Sequence, residues 1–266
     1  MNKIITPKNS INGIINVEGD KSISHRAIII GSLANGITKI NNFLLSKDCL
    51  ATIECFKDLG VDIKIYKNQV IINGKGLYSL KQPISQLDVK NSGTTIRLIS
   101  GILSGQNFES IITGDESIKK RPMDRIIEPL KILGANISGK DNKFAPLYIK
   151  KDNLNFINYK LPVASAQVKS CILLASLYGK QDSIINEPIK CRDHTERMLE
   201  FFGAKIKKLN DDIIISPNSK LIGKNVYIPG DISSASFFIV AGLILENSNI
   251  TIKNIGINDT RTGIIT

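Results

Sequence analysis

Residues 19–26 read GDKSISHR and stand directly before the apolar run AIIIGSLANG. The lysine, serine and arginine side chains of such a stretch are suited to holding a phosphate or a carboxylate. A helix that begins here would direct free backbone N–H groups and a partial positive charge at the same place. The alternative is an ordinary helix cap with solvated charges. Lys21, Ser22 and Arg26 are therefore candidate anion ligands, whereas His25 is expected to be a structural imidazole, partly buried or next to the cap.

Two later stretches have the same composition and the same place before an apolar run. They are NSGTTIR (residues 91–97) and ASAQVKS (residues 164–170). In the first, Gly93 would let a ligand approach the backbone, which a side chain would block. In the second, Ser165 and Gln167 supply polar groups. If these helices run in the same direction, their polar ends meet on one face and form a single anion site.

Three further candidate site residues lie in polar stretches of this kind: Arg121, Arg192 and Asp231. Arg121 stands beside Pro122, which rigidifies the turn, so its guanidinium could bind a carboxylate or phosphate as a fork. Arg192 has the matching place in KCRDHTE (residues 190–196). Asp231, in PGDISSAS, is either a catalytic acid or a helix cap.

An internal repeat of about 70 residues positions these groups along the chain. Four stretches share a polar opening and an apolar body, and each predicts a helix with a largely buried body. They are residues 19–36, 91–105, 164–180 and 230–247.

A second theme, an amphipathic helix that ends at a glycine, follows three of these stretches. The glycines are Gly60, Gly134 and Gly203, each placed where a left-handed residue ends a helix. We expect Pro122 at an early position of the second of these helices. Asp193 and Glu196 have the spacing of a capping box in the third.

An alternating apolar pattern with a turn comes next, as in VDIKIYKNQVIING around Asn68 and AKIKKLNDDIIISP around Asn210. Each unit therefore combines a strand, a buried helix, a strand, an amphipathic helix and a hairpin. The sequence predicts an α/β protein whose main lobe consists of three repeated βαβαββ units around buried parallel helices.

The fourth repeat is short. After its polar–apolar stretch, INDTRTGIIT (residues 257–266) is expected to begin an amphipathic helix, but the chain stops at Thr266. Because a complete protein rarely stops inside a repeat, we expect a C-terminally truncated product.

Composition excludes some function classes and leaves others open. The formal net charge is +11, but the lysines form no dense run, and there is no tryptophan. A basic nucleic-acid-binding protein therefore remains an alternative with little support. The four cysteines show no C-x-x-C pair, so we expect neither a zinc site nor a disulfide framework. With no apolar run of membrane-spanning length and no signal-like N-terminus, a cytoplasmic location is expected.

Six stretches, in this order, resemble the 5-enolpyruvylshikimate-3-phosphate synthase (3-phosphoshikimate 1-carboxyvinyltransferase) family. They are GDKSISHRA, NSGTTIR, GDESIKKRPM, ASAQVKS, RDHTERML and GDISSASFF. The resemblance implies transfer of the enolpyruvyl group of phosphoenolpyruvate to the 5-hydroxyl of shikimate 3-phosphate, with release of phosphate. It implies no metal and no organic cofactor. The related UDP-N-acetylglucosamine enolpyruvyl transferases fit less well, because they carry Asn after the early lysine.

The resemblance also implies roles for individual residues. For shikimate 3-phosphate the implied ligands are Lys21, Ser22, Arg26, Ser165 and Gln167. For phosphoenolpyruvate, at the pocket where glyphosate also binds, they are Lys21, Gly93, Arg121 and Gln167. Cys191 stands where the family commonly has a serine that contacts the shikimate phosphate, which puts that contact in doubt, and the neighbouring Arg192 is the candidate to replace it.

The family has two lobes, and the resemblance divides this chain between them. Residues 1–19 correspond to a strand segment of the second lobe, residues 20–229 to the first lobe, and residues 230–266 to the start of the second. The catalytic carboxylates of the family would lie beyond Thr266, so the chain is expected to carry half of the active site. The open alternative is a subunit of a split synthase that needs a complementary C-terminal chain.

Overall fold

The computed structural model describes residues 6–265. The helices are α1 (Lys21–Leu33), α2 (Lys47–Asp58), α3 (Gly93–Leu103), α4 (Glu116–Lys119), α5 (Asp124–Leu133), α6 (Ala166–Ser176), α7 (His194–Phe202) and α8 (Ile232–Ile244). The strands are β1 (Asn12–Asn16), β2 (Asn35–Asn41), β3 (Asp62–Tyr66), β4 (Gln69–Lys75), β5 (Leu87–Asp88), β6 (Ser110–Thr113), β7 (Asn136–Lys140), β8 (Phe144–Lys150), β9 (Asn158–Lys160), β10 (Ser183–Asn186), β11 (Ile206–Leu209), β12 (Asp212–Ile215), β13 (Asn225–Tyr227) and β14 (Asn249–Lys253).

Three four-stranded sheets share one strand order. The orders are β5-β6-β8-β7, β9-β10-β12-β11 and β13-β2-β4-β3. In each sheet the first two strands are parallel, and the remaining neighbours are antiparallel. The hairpins expected near Asn68 and Asn210 are confirmed as β3–β4 and β11–β12.

Strand β13 completes the sheet β13-β2-β4-β3 from a distant part of the chain. It pairs in parallel with β2, in a register that runs from Asn225 opposite Lys39 to Tyr227 opposite Asn41. In the other two sheets the corresponding strands, β5 and β9, directly precede α3 and α6. The sheet that contains β2 is therefore completed by a strand that follows both other sheets in the sequence.

Helices α1, α3 and α6 form the centre of the core. In α1, residues 27–30 and Leu33 have no exposed surface, and full burial of one such aliphatic side chain contributes about 1.5–3 kcal/mol. Three buried serines of α3 and α6 donate a hydrogen bond to a carbonyl of their own helix, which makes their burial less costly: Ser100, Ser170 and Ser176. Helices α3 and α6 approach most closely at Gly101, where a Cβ would lie 2.3 Å from the Cys171 carbonyl oxygen.

The same three helices begin with side-chain caps. Asp20 accepts the Ile23 N–H at 2.8 Å, Ser92 accepts the Thr95 N–H at 3.2 Å, and Ser165 accepts the Val168 N–H at 3.4 Å. These bonds satisfy N–H groups that have no partner within the helix. The polar openings read from the sequence are thus helix starts.

The amphipathic helices α2, α5 and α7 end at the predicted glycines. Gly60 has φ of +83°, and Gly134 and Gly203 have +106°. A side chain would strain the backbone in this region, so the prediction of left-handed helix ends is confirmed.

The predicted position of Pro122 inside α5 is wrong. Helix α5 begins at Asp124 with Met123 as its N-cap, so Pro122 lies two residues before it. The preceding turn continues to this point, because the Arg121 N–H donates to the Ile118 carbonyl at 3.0 Å.

The capping box predicted at α7 is also wrong. Asp193 has the cap position but makes no side-chain capping bond. Its carboxylate binds the side chains of Arg197 and Lys208 at 2.8 and 3.2 Å, and Glu196 pairs with the buried Lys169 at 2.7 Å. Asp193 therefore makes one ion pair with α7 and one with β11, and Glu196 makes a tertiary ion pair with α6, so neither carboxylate caps the helix start.

The fourth polar–apolar stretch is a helix, α8, but its body is exposed, contrary to expectation. Within α8 only Ile232 and Ala235 are buried, whereas Phe237 and Leu243 are each 78% exposed. Its main neighbour in the described part of the chain is β14. The helix expected to begin in residues 257–265 is absent there, and the backbone forms turns, one closed by the Arg261 N–H on the Asn258 carbonyl at 2.7 Å.

Strands β1 and β14 form a separate parallel pair, in register from Asn12 with Asn249 to Asn16 with Lys253. Two chain segments cross beside it: the Asp20 N–H donates to the Pro229 carbonyl at 2.8 Å, and the Asp231 N–H donates to the Glu18 carbonyl at 2.9 Å. Residues 1–5 of the predicted 1–19 segment lie outside the described residues.

Candidate functional site

The start of α1 presents Lys21 and Ser22, each beside a charged neighbour. The exposed Lys21 ammonium pairs with Asp48 at the start of α2. The Ser22 hydroxyl, which is half-buried, accepts a hydrogen bond from Arg192 Nη1 at 3.3 Å. Two cationic side chains thus approach one helix start.

Arg26, one turn further along α1, is a buried cation held by neutral groups. It is 4% exposed, and it donates to Thr195 Oγ1 at 2.6 Å, to Ser170 Oγ at 2.8 Å and to the Ser22 carbonyl at 3.0 Å. Burial lowers the pKa of Arg26 to about 10, which leaves it charged at neutral pH. No carboxylate among residues 6–265 forms an ion pair with it. A bound anion would supply the missing negative charge.

The start of α3 brings Gly93 between two guanidinium groups. A Cβ at Gly93 would lie 2.9 Å from Arg97 Nη1 and 3.1 Å from Arg121 Nη1. Arg121 donates to Asn91 Oδ1 and, at 3.4 Å, to Ser117 Oγ. The absence of a side chain at Gly93 keeps the space between the two cations open.

The start of α6 carries Ser165 and Gln167. Ser165 caps the helix, so its hydroxyl oxygen is already used as an acceptor. Gln167 Oε1 accepts from Arg97 Nη1 at 2.8 Å, and Gln167 Nε2 donates to Thr94 Oγ1 at 3.1 Å. Gln167 therefore connects α6 with the start of α3.

Side-chain hydrogen bonds join the starts of all three buried helices. The links are Arg26 to Ser170 between α1 and α6, Gln167 to Thr94 between α6 and α3, and His25 to Thr52 to Thr95 from α1 through α2 to α3. Because helix N-termini carry partial positive charge, the joined starts add to the field of the arginines and Lys21. The arrangement can attract and orient small, multiply charged anions.

His25 is fully buried, so the structural interpretation of this residue is confirmed. Its Nδ1 lies 2.7 Å from Thr52 Oγ1, and burial lowers its pKa to about 3. It is thus a neutral member of the link between helices.

Asp231 acts as a cap, one of the two roles considered for it. Its carboxylate accepts the Ser233 N–H at 2.8 Å and the Lys21 N–H at 3.3 Å. Arg261 Nη2 lies 3.2 Å from the same carboxylate and Arg261 Nη1 pairs with Asp20. The starts of α1 and α8 are therefore tied together by one guanidinium.

A cavity of about 460 Å³ lies beside these ties, but the predicted anion ligands do not line it. Its wall is mostly apolar, with Ile23, Met198, Phe201, Tyr227 and Ile257 among the lining residues. The predicted ligands on α1, α3 and α6 instead lie at or near the starts of these helices.

Two further properties concern residues 6–265 as a whole. In that range, no group of three or more His, Cys, Asp or Glu side chains is arranged to hold a metal ion. No helix there is long and apolar enough to cross a membrane.

The sequence matches the family model described as EPSP synthase (3-phosphoshikimate 1-carboxyvinyltransferase) over residues 5–266. The chain belongs to the EPSP synthase family. Among curated relatives, the 3-phosphoshikimate 1-carboxyvinyltransferase of Thermoanaerobacter sp. (strain X514) is 54% identical over 261 residues, which cover 98% of this chain and 62% of the relative. The protein of that name from Bacillus subtilis (strain 168) is 51% identical over 257 residues, or 96% of this chain and 60% of the relative.

Solved structures show the same fold. The EPSP synthase from Acinetobacter baumannii superposes with a TM-score of 0.92 at 46% identity, and the match covers 97% of this chain and 59% of that one. The α/β fold expected from the sequence is thereby confirmed. The chain spans about three fifths of the length of the relatives it matches.

In this member of the EPSP synthase family, the thiol of Cys191 contacts a carboxylate. Its Sγ lies 2.7 Å from Glu187 Oε1, and burial together with that contact raises the pKa of the thiol to about 12. The thiol therefore stays protonated. The adjacent Arg192 is exposed and contacts Ser22, which keeps it a candidate for the contact that a serine would make.

Two residues that hold a candidate ligand in place, Thr195 and Ser170, were missed in the sequence. Both position Arg26, whereas Arg97 positions Gln167. Arg97 lies within the recognised stretch NSGTTIR, and helical spacing places it one turn after Gly93. Ser170 lies one turn after Ala166 within ASAQVKS, so the same spacing would have found it, but Thr195 gave no separate signal.

Proposed function

We propose that this chain acts in the EPSP synthase reaction, the transfer of the enolpyruvyl group of phosphoenolpyruvate to the 5-hydroxyl of shikimate 3-phosphate, in the cytoplasm. The observation that best supports this proposal is the joining of three helix starts around Lys21, Arg26, Gly93, Arg121 and Gln167. These residues match the family's substrate ligands as the sequence resemblance assigns them.

The charge of the site suits this reaction. Both substrates are small anions that carry a phosphate and a carboxylate, so they repel each other when brought together. Arg26 and Arg121 have no carboxylate partner among residues 6–265, and they can offset that repulsion. The 5-hydroxyl then adds to C2 of phosphoenolpyruvate while C3 takes up a proton. The tetrahedral adduct loses phosphate and a C3 proton to form the enol ether of the product.

The proposed division of ligands places shikimate 3-phosphate at α1 and α6 and phosphoenolpyruvate at α3. Lys21, Ser22, Arg26, Ser165 and Gln167 would hold the former. Gly93 and Arg121, with Lys21 and Gln167, would hold the latter. No cofactor or metal takes part in this proposal.

We further propose that residues 20–229 form one lobe of three repeated units, and that residues 1–19 and 230–266 belong to a second lobe. The pairing of β1 with β14 supports this division, as does the crossing of the two segments at Asp20 and Asp231. On this proposal the chain carries one wall of the site, and the opposite wall corresponds to the part of the relatives that it does not span.

Calorimetric titration with shikimate 3-phosphate tests the proposed wall. We expect binding by the unchanged chain and a loss of about tenfold or more in affinity for Lys21→Met, because a charge-assisted contact is removed. Lys75→Met is the matched control: Lys75 is an exposed lysine paired with Asn35, at the opposite end of α1. An equal loss in both variants, or no heat at millimolar ligand, would contradict the assignment.

The exposed face of α8 supports a second candidate, a split synthase whose partner chain covers that face. Mixing this chain with the C-terminal part of a relative should then restore phosphate release from the two substrates. Turnover by this chain alone would contradict both the single-wall and the split proposals.

A further inference from the structure

The guanidinium group of Arg97 donates hydrogen bonds to three acceptors in different parts of the site. Its Nη1 donates to Gln167 Oε1 at 2.8 Å and to the Gly93 carbonyl at 3.4 Å, and its Nη2 donates to the Pro122 carbonyl at 3.2 Å. A guanidinium is planar and can reach several acceptors in fixed directions at once, which an ammonium cannot do.

The contact with Gln167 decides which way the amide faces. Arginine has only donors, so the atom of Gln167 that faces Arg97 must be the oxygen. The Nε2 group then lies on the other side, where one of its hydrogens goes to Thr94 Oγ1 at 3.1 Å. The second hydrogen remains available to an acceptor, and the amide oxygen is kept away from an incoming anion.

Arg97 stays in this place against electrostatic repulsion. Arg97 and Arg121 both approach the position that a Cβ of Gly93 would occupy, at 2.9 and 3.1 Å. Burial lowers the pKa of Arg97, and the positive charges of Arg121 and Arg125 lower it further. Within residues 6–265 its hydrogen-bond acceptors are all neutral, so an anion beside Arg121 would relieve the repulsion.

We propose that Arg97 is a positioning residue of the phosphoenolpyruvate part of the site, where it fixes Gln167 with its N–H side toward the anion and holds the Pro122 carbonyl beside Arg121. The inference rests on the proposed function, because it takes Gln167 and Arg121 as the groups that touch the substrate. Arg97 acts through them.

Arg97→Lys is the decisive variant because it keeps the charge and removes the fork. If Arg97 acts by position, this variant loses about tenfold or more in affinity for phosphoenolpyruvate, titrated with shikimate 3-phosphate present, and resembles Arg97→Gln. If Arg97 acts only by its charge, Arg97→Lys binds as the unchanged chain does, and the proposal is overturned. Arg125→Lys is the matched control, since Arg125 is exposed and adds charge near Arg97.

A double-mutant cycle tests whether the effect passes through Gln167. In a Gln167→Ala background, Arg97→Lys should lower the affinity clearly less than it does in the unchanged chain, because the amide it orients is gone and only the contact with the Pro122 carbonyl remains. Full additivity of the two losses would contradict a positioning role that passes through Gln167.

The side-chain amide signals of Gln167 in an NMR spectrum give a readout that needs no ligand. In the unchanged chain they should be shifted from the free-amide position and exchange slowly with water, and Arg97→Lys should return them toward that position. Thr94→Val should alter them without changing any charge. Unchanged signals in Arg97→Lys would overturn the inference even if that variant bound phosphoenolpyruvate more weakly. Shifted, slowly exchanging signals in an unchanged chain that binds no phosphoenolpyruvate would contradict only the proposed function.

Discussion

The ammonium of Lys169 lies 2.7 Å from a carboxylate oxygen of Glu196, and neither side chain is more than 1% exposed. A second carboxylate, Glu187, lies 2.6 Å from the same ammonium. Burial alone would lower the pKa of Lys169, but Glu196 and Glu187 outweigh it and leave that pKa above its ordinary value. Glu187 also accepts the Cys191 N–H at 3.0 Å. This buried group ties α6 to α7 and to the segment that carries Arg192.

Lys169→Met should destabilise the protein by about 3–5 kcal/mol, because it leaves two buried carboxylates without their cation. Urea denaturation measures the loss in the free energy of unfolding. Lys190→Met is the control: Lys190 pairs with Asp211 at 3.0 Å, but both side chains are more than half exposed, so its loss should stay below about 1 kcal/mol. Similar losses in the two variants would refute the prediction.

His25 should make the fold less stable in mild acid. Its pKa falls from 6.5 to about 3 on burial, so between these values the unfolded chain binds a proton that the folded chain does not. The free energy of unfolding should therefore decrease as the pH falls below about 6.5, by up to about 1.4 kcal/mol per unit for this group.

The matching variant is His25→Gln, which cannot take up that proton. Between pH 7 and pH 5 it should lose about 2 kcal/mol less stability than the unchanged chain. Urea denaturation at the two pH values measures this difference. Equal pH dependence in the two proteins would show that His25 does not contribute.

Gly93→Ala should weaken phosphoenolpyruvate binding more than it alters the fold. The added methyl would meet Arg97 and Arg121 at 2.9 and 3.1 Å, and these flexible side-chain ends must then move out of the space between them. We expect a loss of about tenfold in affinity and a change in melting temperature of only a few degrees. Gly242→Ala, in an exposed helix interior beside the Ile250 side chain, should leave the affinity unchanged. A normal affinity in Gly93→Ala would count against an anion between the two arginines.

Replacing exposed apolar residues of α8 should reduce the binding of a dye that recognises apolar surfaces, without destabilising the fold. Phe237 and Leu243 are each 78% exposed, so Phe237→Ser with Leu243→Ser should lower fluorescence of an apolar-surface dye and lessen self-association in sedimentation. The free energy of unfolding should change by less than about 0.5 kcal/mol per substitution. A loss of several kcal/mol would mean that the face is covered in solution.

Short stretches of the sequence were enough to predict where several helices begin and end. Gly60, Gly134 and Gly203 mark helix ends because few other residues adopt a positive φ at low cost. The polar openings before apolar runs indicated helix starts correctly, because Asp20, Ser92 and Ser165 are caps in the structure. Both signals depend on neighbours in the chain.

Features that depend on distant contacts could not be predicted in the same way. The spacing of Asp193 and Glu196 fits a capping box. In the structure, however, Glu196 pairs with the buried Lys169 of α6, and Asp193 pairs with Arg197 and Lys208. The apolar body of α8 has the pattern of a buried helix, yet burial depends on what packs against it. The orientation of Gln167 depends on Arg97, which lies 70 residues away in the sequence.

The completion of the sheet β13-β2-β4-β3 by its distant strand has a consequence for how the chain folds during synthesis. Until residue 227 has left the ribosome, the edge of β2 that pairs with β13 stays free, although the other two sheets can already assemble. This sheet is therefore completed late, over a sequence separation of 186 residues between Lys224 and Thr38, and such non-local closure is slow. A circular permutant that places β13 directly before α1 would make this step local.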